Sequence, residues 1–286
     1  MNPSPAVSVI IAVHNEKLFL DECLASLVAQ TFTDWEIIAC DDASTDGSWS
    51  ILEQWAQRDP RINILLNAHN QGAAATRNRA IGMSRGRYIA IQDADDLSFA
   101  ERLSMQVRYL NRHTSCAFVS TGLLRFDHQG VYGRRVPHQL APRNRDFLVR
   151  IPYCHAATMF RREALVAVNG YRVSSETRRG QDYDLFMRLH AVGYQGHNLP
   201  LCLYGYREGQ AAYQRRFFRY RIDEMIVRFK GFRNLGLLPW GLPFVLKPLF
   251  VGVIAFFIRR PAKRSVSPFL EQLSIVEGQA NAGDTR

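Results

Sequence analysis

The stretch Gly86-Arg-Tyr-Ile-Ala-Ile-Gln-Asp-Ala-Asp-Asp96 joins a short apolar run to a cluster of acids. The run from Tyr88 has the length and composition of a buried β-strand. Asp93, Asp95 and Asp96 follow it directly, and carboxylates buried without partners are costly. Packing therefore does not explain the cluster. A hard divalent cation, Mg²⁺ or Mn²⁺, does, because it prefers oxygen ligands and bridges to substrate phosphates. Ligands of open α/β sheets bind at the carboxyl ends of strands.

The alternative for this stretch is a solvated turn whose acids cap the next helix. Ser98 and Glu101 have the spacing of a capping box ahead of Leu103. That box uses the serine and the glutamate and leaves the aspartates without a role, so we favour the cation site.

Upstream, apolar runs alternate with amphipathic segments. The pattern predicts strands at 7–13, 35–40, 62–66 and 88–92, and helices at 18–30, 48–57 and 72–84. This alternation predicts an α/β fold with a doubly wound, mostly parallel sheet. The second strand also ends in acids, Asp41 and Asp42, which places both acidic groups on one rim of the sheet. Neither a G-x-G-x-x-G fingerprint nor a Walker motif follows the first strand, which argues against a Rossmann dinucleotide site and a P-loop.

Downstream, the pattern is less regular. It predicts helices at 101–112, 161–168 and 181–190, and strands at 117–126 and 154–160, with a basic loop at 134–150. Asp182 lies in the first turn of the last helix. The helix dipole favours acids there, so Asp182 also has a purely structural explanation.

Composition bounds the class of protein. Of the 286 residues, 47% are hydrophobic, which supports a folded core and argues against disorder. The five cysteines are scattered and never form a C-x-x-C pair, which fits a reducing compartment and argues against a zinc site. The N-terminus lacks the basic start and apolar core of a signal peptide. We therefore expect a cytoplasmic protein.

The C-terminal region is basic and apolar. Basic and aromatic residues crowd together at 215–221, and the apolar segment 235–258 contains Lys247 as its only charge. Pro239, Pro243 and Pro248 argue against one straight helix. We expect a helical appendage that lies on the anionic inner face of the cell membrane as a peripheral element. The alternative is a helical hairpin packed on the catalytic domain. We expect no nucleic-acid binding, because no nucleic-acid module is visible.

Five motifs occur in the order and spacing of glycosyltransferase family 2, which the chain resembles over about residues 6–205. They are Val7-Ser-Val-Ile-Ile-Ala-Val-His-Asn-Glu16, Asp41-Asp-Ala-Ser-Thr-Asp-Gly47, Arg77-Asn78, Asp93-Ala-Asp-Asp96 and Gln181-Asp182. The resemblance implies a GT-A fold and a nucleotide-sugar donor. It suggests a catalytic domain at 1–206, with a donor half at 1–103 and an acceptor half at 104–206, followed by the appendage at 207–286.

The resemblance also implies roles on the donor side. Asp42 matches the aspartate that hydrogen-bonds the nucleotide base, and a carboxylate can accept from a base N–H group. His14 stands where the family often has an aromatic residue beside the base; the alternative is a strand-end histidine bonded to backbone. Arg77 is a candidate contact to the diphosphate; the alternative is a solvated helix face.

Two further motifs carry the expected chemistry. Asp93 and Asp95 match the D-x-D pair, with Asp95 as the direct metal ligand, Asp93 nearer the ribose and Asp96 as support. Asp182 matches the catalytic base. The residue before it is Gln181, where the family has glutamate, and this departure removes one charge beside the base. His155 is a candidate on the acceptor side, with a packed structural histidine as the alternative.

The expected function is inverting transfer of a sugar from a nucleotide-diphosphate donor to a saccharide acceptor, expected to be lipid-linked, for a surface polysaccharide or lipopolysaccharide. Mn²⁺ or Mg²⁺ is the expected cofactor. A non-catalytic sugar-nucleotide-binding or scaffold protein at the membrane is one alternative. A nucleotidyltransferase is another; it needs a glycine- and arginine-rich loop after the first strand, which the residues from His14 do not supply.

Overall fold

A computed structural model gives the structure of residues 4–208 and 218–257. Strands and helices alternate over the first hundred residues, as predicted. They are β1 (Val7–Val13), α1 (Leu20–Val28), β2 (Trp35–Asp41), α2 (Ser48–Arg58), β3 (Ile62–Leu66), α3 (Ala73–Met83) and β4 (Tyr88–Asp93). The four strands pair in parallel in the order β3-β2-β1-β4. The predicted α/β fold with a mostly parallel sheet is confirmed in this half.

The second half extends the same sheet. Its elements are β5 (Leu97–Ser98), α4 (Arg102–Arg112), β6 (Phe118–Asp127), β7 (Gly130–Arg135), β8 (Met159–Arg161), α5 (Arg162–Ala167), α6 (Gln181–Ala191) and β9 (Gly196–Arg207). The sheet continues from β4 as β8-β6-β9-β5, and β7 pairs with β6. Because β8 is antiparallel to both β4 and β6, those two strands run in the same direction, and β9 is parallel to β6. The carboxyl ends of β4, β6 and β9 therefore share one rim.

Several strands differ from the prediction. The predicted strand at 154–160 shortens to β8, because residues before it form a turn in which the Ala157 N–H donates to the Cys154 carbonyl. The sequence pattern missed β5, β7 and β9. In β9, Gly196, Pro200 and Gly205 interrupt the apolar alternation that identifies a strand.

The capping interpretation of the acidic stretch is wrong. Ser98 lies in β5, and its N–H donates to Ser26 Oγ. Helix α4 begins at Arg102 without a side-chain cap, and the Glu101 carboxylate accepts from Ser104 Oγ instead. The aspartates of this stretch therefore need another explanation.

The sheet separates two apolar cores. Along β1, Val9 and Ile11 face one core while Ile10 faces the other, as expected for alternating side chains. The first core contains the apolar faces of α1, α2 and α4, and the second contains those of α5 and α6. Helices on both faces explain why β1 is apolar at every position except Ser8.

Two more helices, α7 (Phe218–Asn234) and α8 (Leu242–Phe257), pack on the second core. Val227, Phe232, Leu235 and Val245 are buried there beside Met187 of α6. This is the packing that the hairpin alternative requires. Within the part of the chain described, no helix is both long and apolar enough to cross a membrane. The basic residues predicted at 215–217 and after 258 lie outside the described residues.

Candidate active site

The strand ends bring the predicted donor-side residues to one level of the sheet rim. In the parallel register, Val13 pairs with Asp41, and Ala12 pairs with Asp93. His14, Asp42 and the acids after Asp93 therefore leave the sheet side by side. A common rim is where ligands of α/β sheets bind.

Asp42 is held by the loop that leads into α3. Its Oδ1 accepts hydrogen bonds from Asn67 Nδ2 (2.7 Å) and the Gln71 N–H (2.9 Å), and its Oδ2 accepts from the Gly72 N–H (2.8 Å). Burial raises the pKa of Asp42, but these hydrogen bonds outweigh it and the pKa is lowered. The group is thus ionised at neutral pH. Oδ2 has a second lone pair, which can accept one N–H group from a ligand.

His14 lies beside Asp42 on the rim. Its Nδ1 is 2.9 Å from the Asp42 carbonyl oxygen, and its ring is exposed. The backbone contact is the one that the structural alternative requires, and it also fixes the ring next to the carboxylate that is expected to meet the base. Asn15 follows with a left-handed φ of 58° and accepts from the Thr45 N–H.

Arg77 of α3 is buried, so the alternative of a solvated helix face is wrong. Its Nη2 lies 2.6 Å from Asp93 Oδ1. Burial lowers the pKa of Arg77, but the charge of Asp93 and further contributions from Tyr171 and Asp182 raise it overall. Its Nε and Nη1 find no hydrogen-bond partner among the residues that the structure describes. Two buried donors of a fixed cation therefore lack a partner of the kind that an anionic ligand supplies.

The acids after β4 repel one another. Burial, followed by the charge of Asp93, raises the pKa of Asp95 to about 6. Burial, followed by the charges of Asp93 and Asp95, holds the pKa of Asp96 well above its usual range. Asp96 Oδ1 accepts from the Arg207 N–H (2.7 Å), whereas its buried Oδ2 has no partner within the described ranges. Asp93 pairs with Arg77, but Asp95 and Asp96 form no salt bridge with any described residue, and such carboxylates at a strand end fit a cation site, as the sequence predicts.

The donor set suits a hard cation that also binds a substrate. Asp93 and Asp95 supply carboxylate oxygens, the ligands that Mg²⁺ and Mn²⁺ prefer. No group of three or more potential ligands is pre-arranged in residues 4–208 and 218–257. Mg²⁺ typically binds through one or two carboxylates and completes its coordination shell with substrate phosphates and water. A site with few protein ligands is therefore consistent with Mg²⁺ binding.

Asp182 lies in the first turn of α6, half-buried, and its Oδ1 accepts from the Tyr183 N–H (2.8 Å). Burial raises the pKa of Asp182; the charge of Asp93 adds to this and the charge of Arg77 opposes it. The acid from the acceptor half is therefore close enough to interact with the Arg77–Asp93 pair. It also lines a cavity of about 420 Å³ between α6 and α7.

Gln181 and His155 are the other two residues singled out beside Asp182. Gln181 Oε1 is buried and has no hydrogen-bond partner in the described part of the chain. His155 Nε2 is 2.7 Å from Tyr171 Oη, and its ring packs edge-on against Tyr171 and Phe186. Burial and Arg77 lower the pKa of His155 to about 3, so the ring is neutral. These contacts favour the packed structural role for His155.

Sequence reasoning missed two residues of this site. Glu16 is half-buried, and burial followed by the charges of Asp95, Asp46 and Asp93 raises its pKa to about 7. Arg207 is the last residue of β9 and binds the acidic stretch. Its N–H donates to Asp96 Oδ1, and its Nε donates to the Asp95 carbonyl (2.9 Å).

Phe19 and Phe126 flank the Arg207 guanidinium at 4.5 and 4.6 Å from their ring centroids. Its Nη2 is 2.5 Å from Glu22 Oε2. Position in a motif was a signal for Glu16, which ends the first of the five motifs. Arg207 carried no such signal, because its contacts with Asp95 and Asp96 depend on the pairing of β9, which the sequence pattern did not predict.

Comparison with known proteins decides the family. The profile of Glycosyl transferase family 2 matches residues 8–168. The chain belongs to this family. EpsE of Bacillus subtilis (strain 168), which carries a provisional glycosyltransferase name, is 40% identical over 250 residues, covering 87% of this chain and 90% of EpsE. The resemblance seen in the five motifs is thus confirmed, and the chain is a family 2 glycosyltransferase.

A shorter match covers the UDP-Glc:alpha-D-GlcNAc-diphosphoundecaprenol beta-1,3-glucosyltransferase WfaP of Escherichia coli. It is 39% identical over 104 residues, which is 36% of this chain and 41% of WfaP. The acceptor in its name is a lipid-linked saccharide.

Solved structures confirm the GT-A fold. S. aureus TarS 1-349 in complex with UDP-GlcNAc matches with a TM-score of 0.68 and 17% identity, over 84% of this chain and 72% of that one. The mannosyltransferase PcManGT from Pyrobaculum calidifontis, in complex with GDP-Man and Mn²⁺, matches with a TM-score of 0.57 and 20% identity, over 98% and 81%. Divalent metals are common in this class of enzyme.

Proposed function

We propose that this glycosyltransferase moves a sugar, with inversion, from a nucleotide-diphosphate sugar to a saccharide acceptor in surface polysaccharide or lipopolysaccharide biosynthesis. The observation that carries the proposal is the position of Asp182 within electrostatic reach of the Arg77–Asp93 pair. Transfer from a diphosphate donor requires a general base, here Asp182, and a positively charged group that binds the diphosphate, here Arg77, at the same rim of the sheet.

On the donor side, each residue has one task. Asp42 accepts an N–H group of the base through the open lone pair of Oδ2, and His14 stacks on the ring. Arg77 offers its two unpaired donors, Nε and Nη1, to the diphosphate. Asp93 lies nearer the ribose, and Asp95 holds the cation. When bound, Mn²⁺ or Mg²⁺ neutralises charge on the diphosphate leaving group.

On the acceptor side, Asp182 takes the proton of the acceptor hydroxyl as its oxygen attacks the anomeric carbon. The C1–O bond to the diphosphate breaks in the same displacement, which inverts the configuration. The raised pKa of Asp182 improves its match to this task, because a stronger base accepts the proton more readily. The lipid-linked acceptor is supported by the acceptor that the name of WfaP states.

A panel of nucleotide sugars tests the donor side. We expect the purified chain with Mn²⁺ to release nucleotide diphosphate from at least one UDP- or GDP-sugar, measured by a coupled nucleotide assay. Asp42→Asn should raise KM for that donor about tenfold, because the amide can turn an N–H toward the base.

The same panel separates the alternatives. Tight binding of a donor with no turnover of any panel member, in the presence of acceptor extracts, contradicts the enzyme mechanism. That outcome supports the non-catalytic binding protein.

We also propose peripheral attachment to an anionic membrane through the helical hairpin formed by α7 and α8. One side of α7 is buried on the core, while Ile222, Ile226 and Phe229 are exposed at helical spacing. Trp240, 86% exposed, lies in the connection to α8. An apolar face with an interfacial tryptophan and basic residues nearby is typical of helices that lie on a membrane.

Charged substitutions on this face test the attachment. Ile226→Glu combined with Phe229→Glu should lower binding to phosphatidylglycerol vesicles about 10²-fold, because each partly buried apolar side chain contributes about 1 kcal/mol or more. Sedimentation with vesicles measures this. Val166→Glu with Val192→Glu is the matched control, since both valines are exposed elsewhere. Equal sedimentation of the two double variants would exclude this face.

A further inference from the structure

A basic cleft adjoins the cavity that contains Asp182. It has a volume of about 960 Å³, within the range of ligand sites. The hairpin of β6 and β7 lines it, together with the segment 136–154. We call it the arginine cleft, after the five arginines in its lining, which are Arg125, Arg134, Arg135, Arg145 and Arg150.

The charges of the arginine cleft are not balanced from within. Asp146 is the one acid among the described residues that line it, and its carboxylate is occupied by the Arg143 N–H (2.7 Å) and Gln139 Nε2 (3.0 Å). Arg135 donates to the Ile151 carbonyl (3.2 Å). The other four arginines make no ion pair with any residue of the described part. Like charges gathered in a concave surface focus a positive potential.

The cleft is connected to the candidate base. Arg150 and Ile151 line both the arginine cleft and the smaller cavity that contains Asp182. The cleft lies where β6 ends, on the rim that also carries the acids after β4. An acceptor with its reacting hydroxyl at Asp182 would therefore extend past Arg150 into the cleft.

We infer that the acceptor is anionic and that the arginine cleft binds its phosphate or carboxylate groups. The inference rests on the proposed role of Asp182. Arginine suits both groups, because its planar fork makes paired hydrogen bonds to phosphate and carboxylate oxygens. Two sources share this chemistry: the diphosphate of a lipid carrier, and acidic sugars within the saccharide itself.

The cleft is a separate surface from the apolar face of α7. That face consists of exposed apolar side chains, whereas the cleft is concave and exposes Arg125, Arg134, Arg145 and Arg150. A concave, polar and positively charged surface fits the anionic groups of an acceptor better than the plane of a bilayer.

Binding of three soluble probes tests the inference. They are tetragalacturonate for acidic sugars, geranyl diphosphate for a lipid diphosphate and maltotetraose as the neutral reference. We expect at least one anionic probe to bind the full chain more tightly than maltotetraose in calorimetry, and its affinity to fall with added salt. Arg134→Ala with Arg145→Ala should weaken that binding about tenfold or more, because both side chains are exposed and charged.

The control variant removes two exposed arginines from the opposite rim, Arg58→Ala with Arg112→Ala, at the carboxyl ends of α2 and α4. It should bind both anionic probes as the unchanged protein does. The anionic probe affected by the cleft variant identifies the source of the anion.

Three results would overturn the inference: no preference for either anionic probe, equal loss in both double variants, or a cleft variant that loses only its binding to anionic vesicles. Donor hydrolysis by the unchanged protein is measured separately. Its absence, with probe binding intact, would count against the proposed function and leave the cleft assignment standing.

Discussion

Replacing Asp182 with asparagine is expected to lower kcat about 10²-fold or more while the affinity for the nucleotide-sugar donor changes little. The amide keeps the shape of the side chain but cannot take the proton of the acceptor hydroxyl. Donor affinity should persist because the proposed donor contacts lie on other elements, at Asp42, Arg77 and Asp95. Single-turnover rates and donor titrations measure the two quantities independently.

The pH dependence gives a second signature of the same group. Burial raises the pKa of Asp182, so its unprotonated form is lost, as pH falls, at a higher pH than for a free aspartate of about 3.9. The acid limb of the kcat profile should therefore lie above that value.

Asp184, two residues further along α6, provides the matched control. Its carboxylate pairs with Arg188 (2.6 Å) and Arg172 (3.4 Å) and is buried. Asp184→Asn should lower the melting temperature, because it breaks a buried ion pair, without removing a proton acceptor from the site. If Asp182→Asn instead greatly weakened donor binding while kcat at saturating donor held, Asp182 would be a donor ligand or a structural residue.

The parallel half of the sheet could be predicted because its signals are local. β1 is buried on both faces and is apolar except at Ser8, and Asp41 and Asp93 are the last residues of β2 and β4. Parallel strands put their carboxyl ends on one rim, so local signals were enough to place Asp42 and Asp93 on the same rim.

The remaining contacts of the site depend on long-range pairing. The Arg207 N–H reaches Asp96 across 111 residues of chain, through a strand whose glycines and proline conceal it. Helical periodicity alone did not determine whether the Arg77 side chain is exposed to solvent or buried. Arg77 is buried because α3 packs on the sheet and because Asp93 of β4 pairs with it. The sequence of α3 alone specifies neither contact.

The C-terminal region shows a different limit. Hydropathy identifies an apolar segment but not what covers it. In the structure, Phe232 and Leu235 are buried on α6, whereas Ile226 and Phe229 of the same hairpin remain exposed. The sequence pattern therefore predicted the composition of this surface and not its division into a packed face and an open one.

Removing divalent cations with EDTA is expected to abolish transfer, and Mn²⁺ or Mg²⁺ should restore it. Asp95→Asn should weaken both Mn²⁺ binding and donor binding and lower turnover about 10²-fold or more. The reason is that a neutral amide is a poorer ligand for a hard cation, and even residues that only orient metal ligands cost about 10- to 100-fold when changed. Calorimetry with Mn²⁺ and donor reads the binding without relying on activity.

Asp34→Asn is the control for the lost charge, because Asp34 is exposed just before β2 begins, at the opposite rim of the sheet. It should bind Mn²⁺ and donor as the unchanged protein does. Loss of the negative charge at Asp95 also relieves its repulsion with Asp93 and Asp96, so Asp95→Asn should be at least as stable to heat as the unchanged protein when no cation is present. An aspartate that binds a cation lowers the stability of the cation-free protein, so its replacement does not destabilise the fold. Replacing a structural aspartate does destabilise it. Full activity of Asp95→Asn in EDTA would remove the cation from the mechanism and leave Arg77 as the cation that faces the diphosphate.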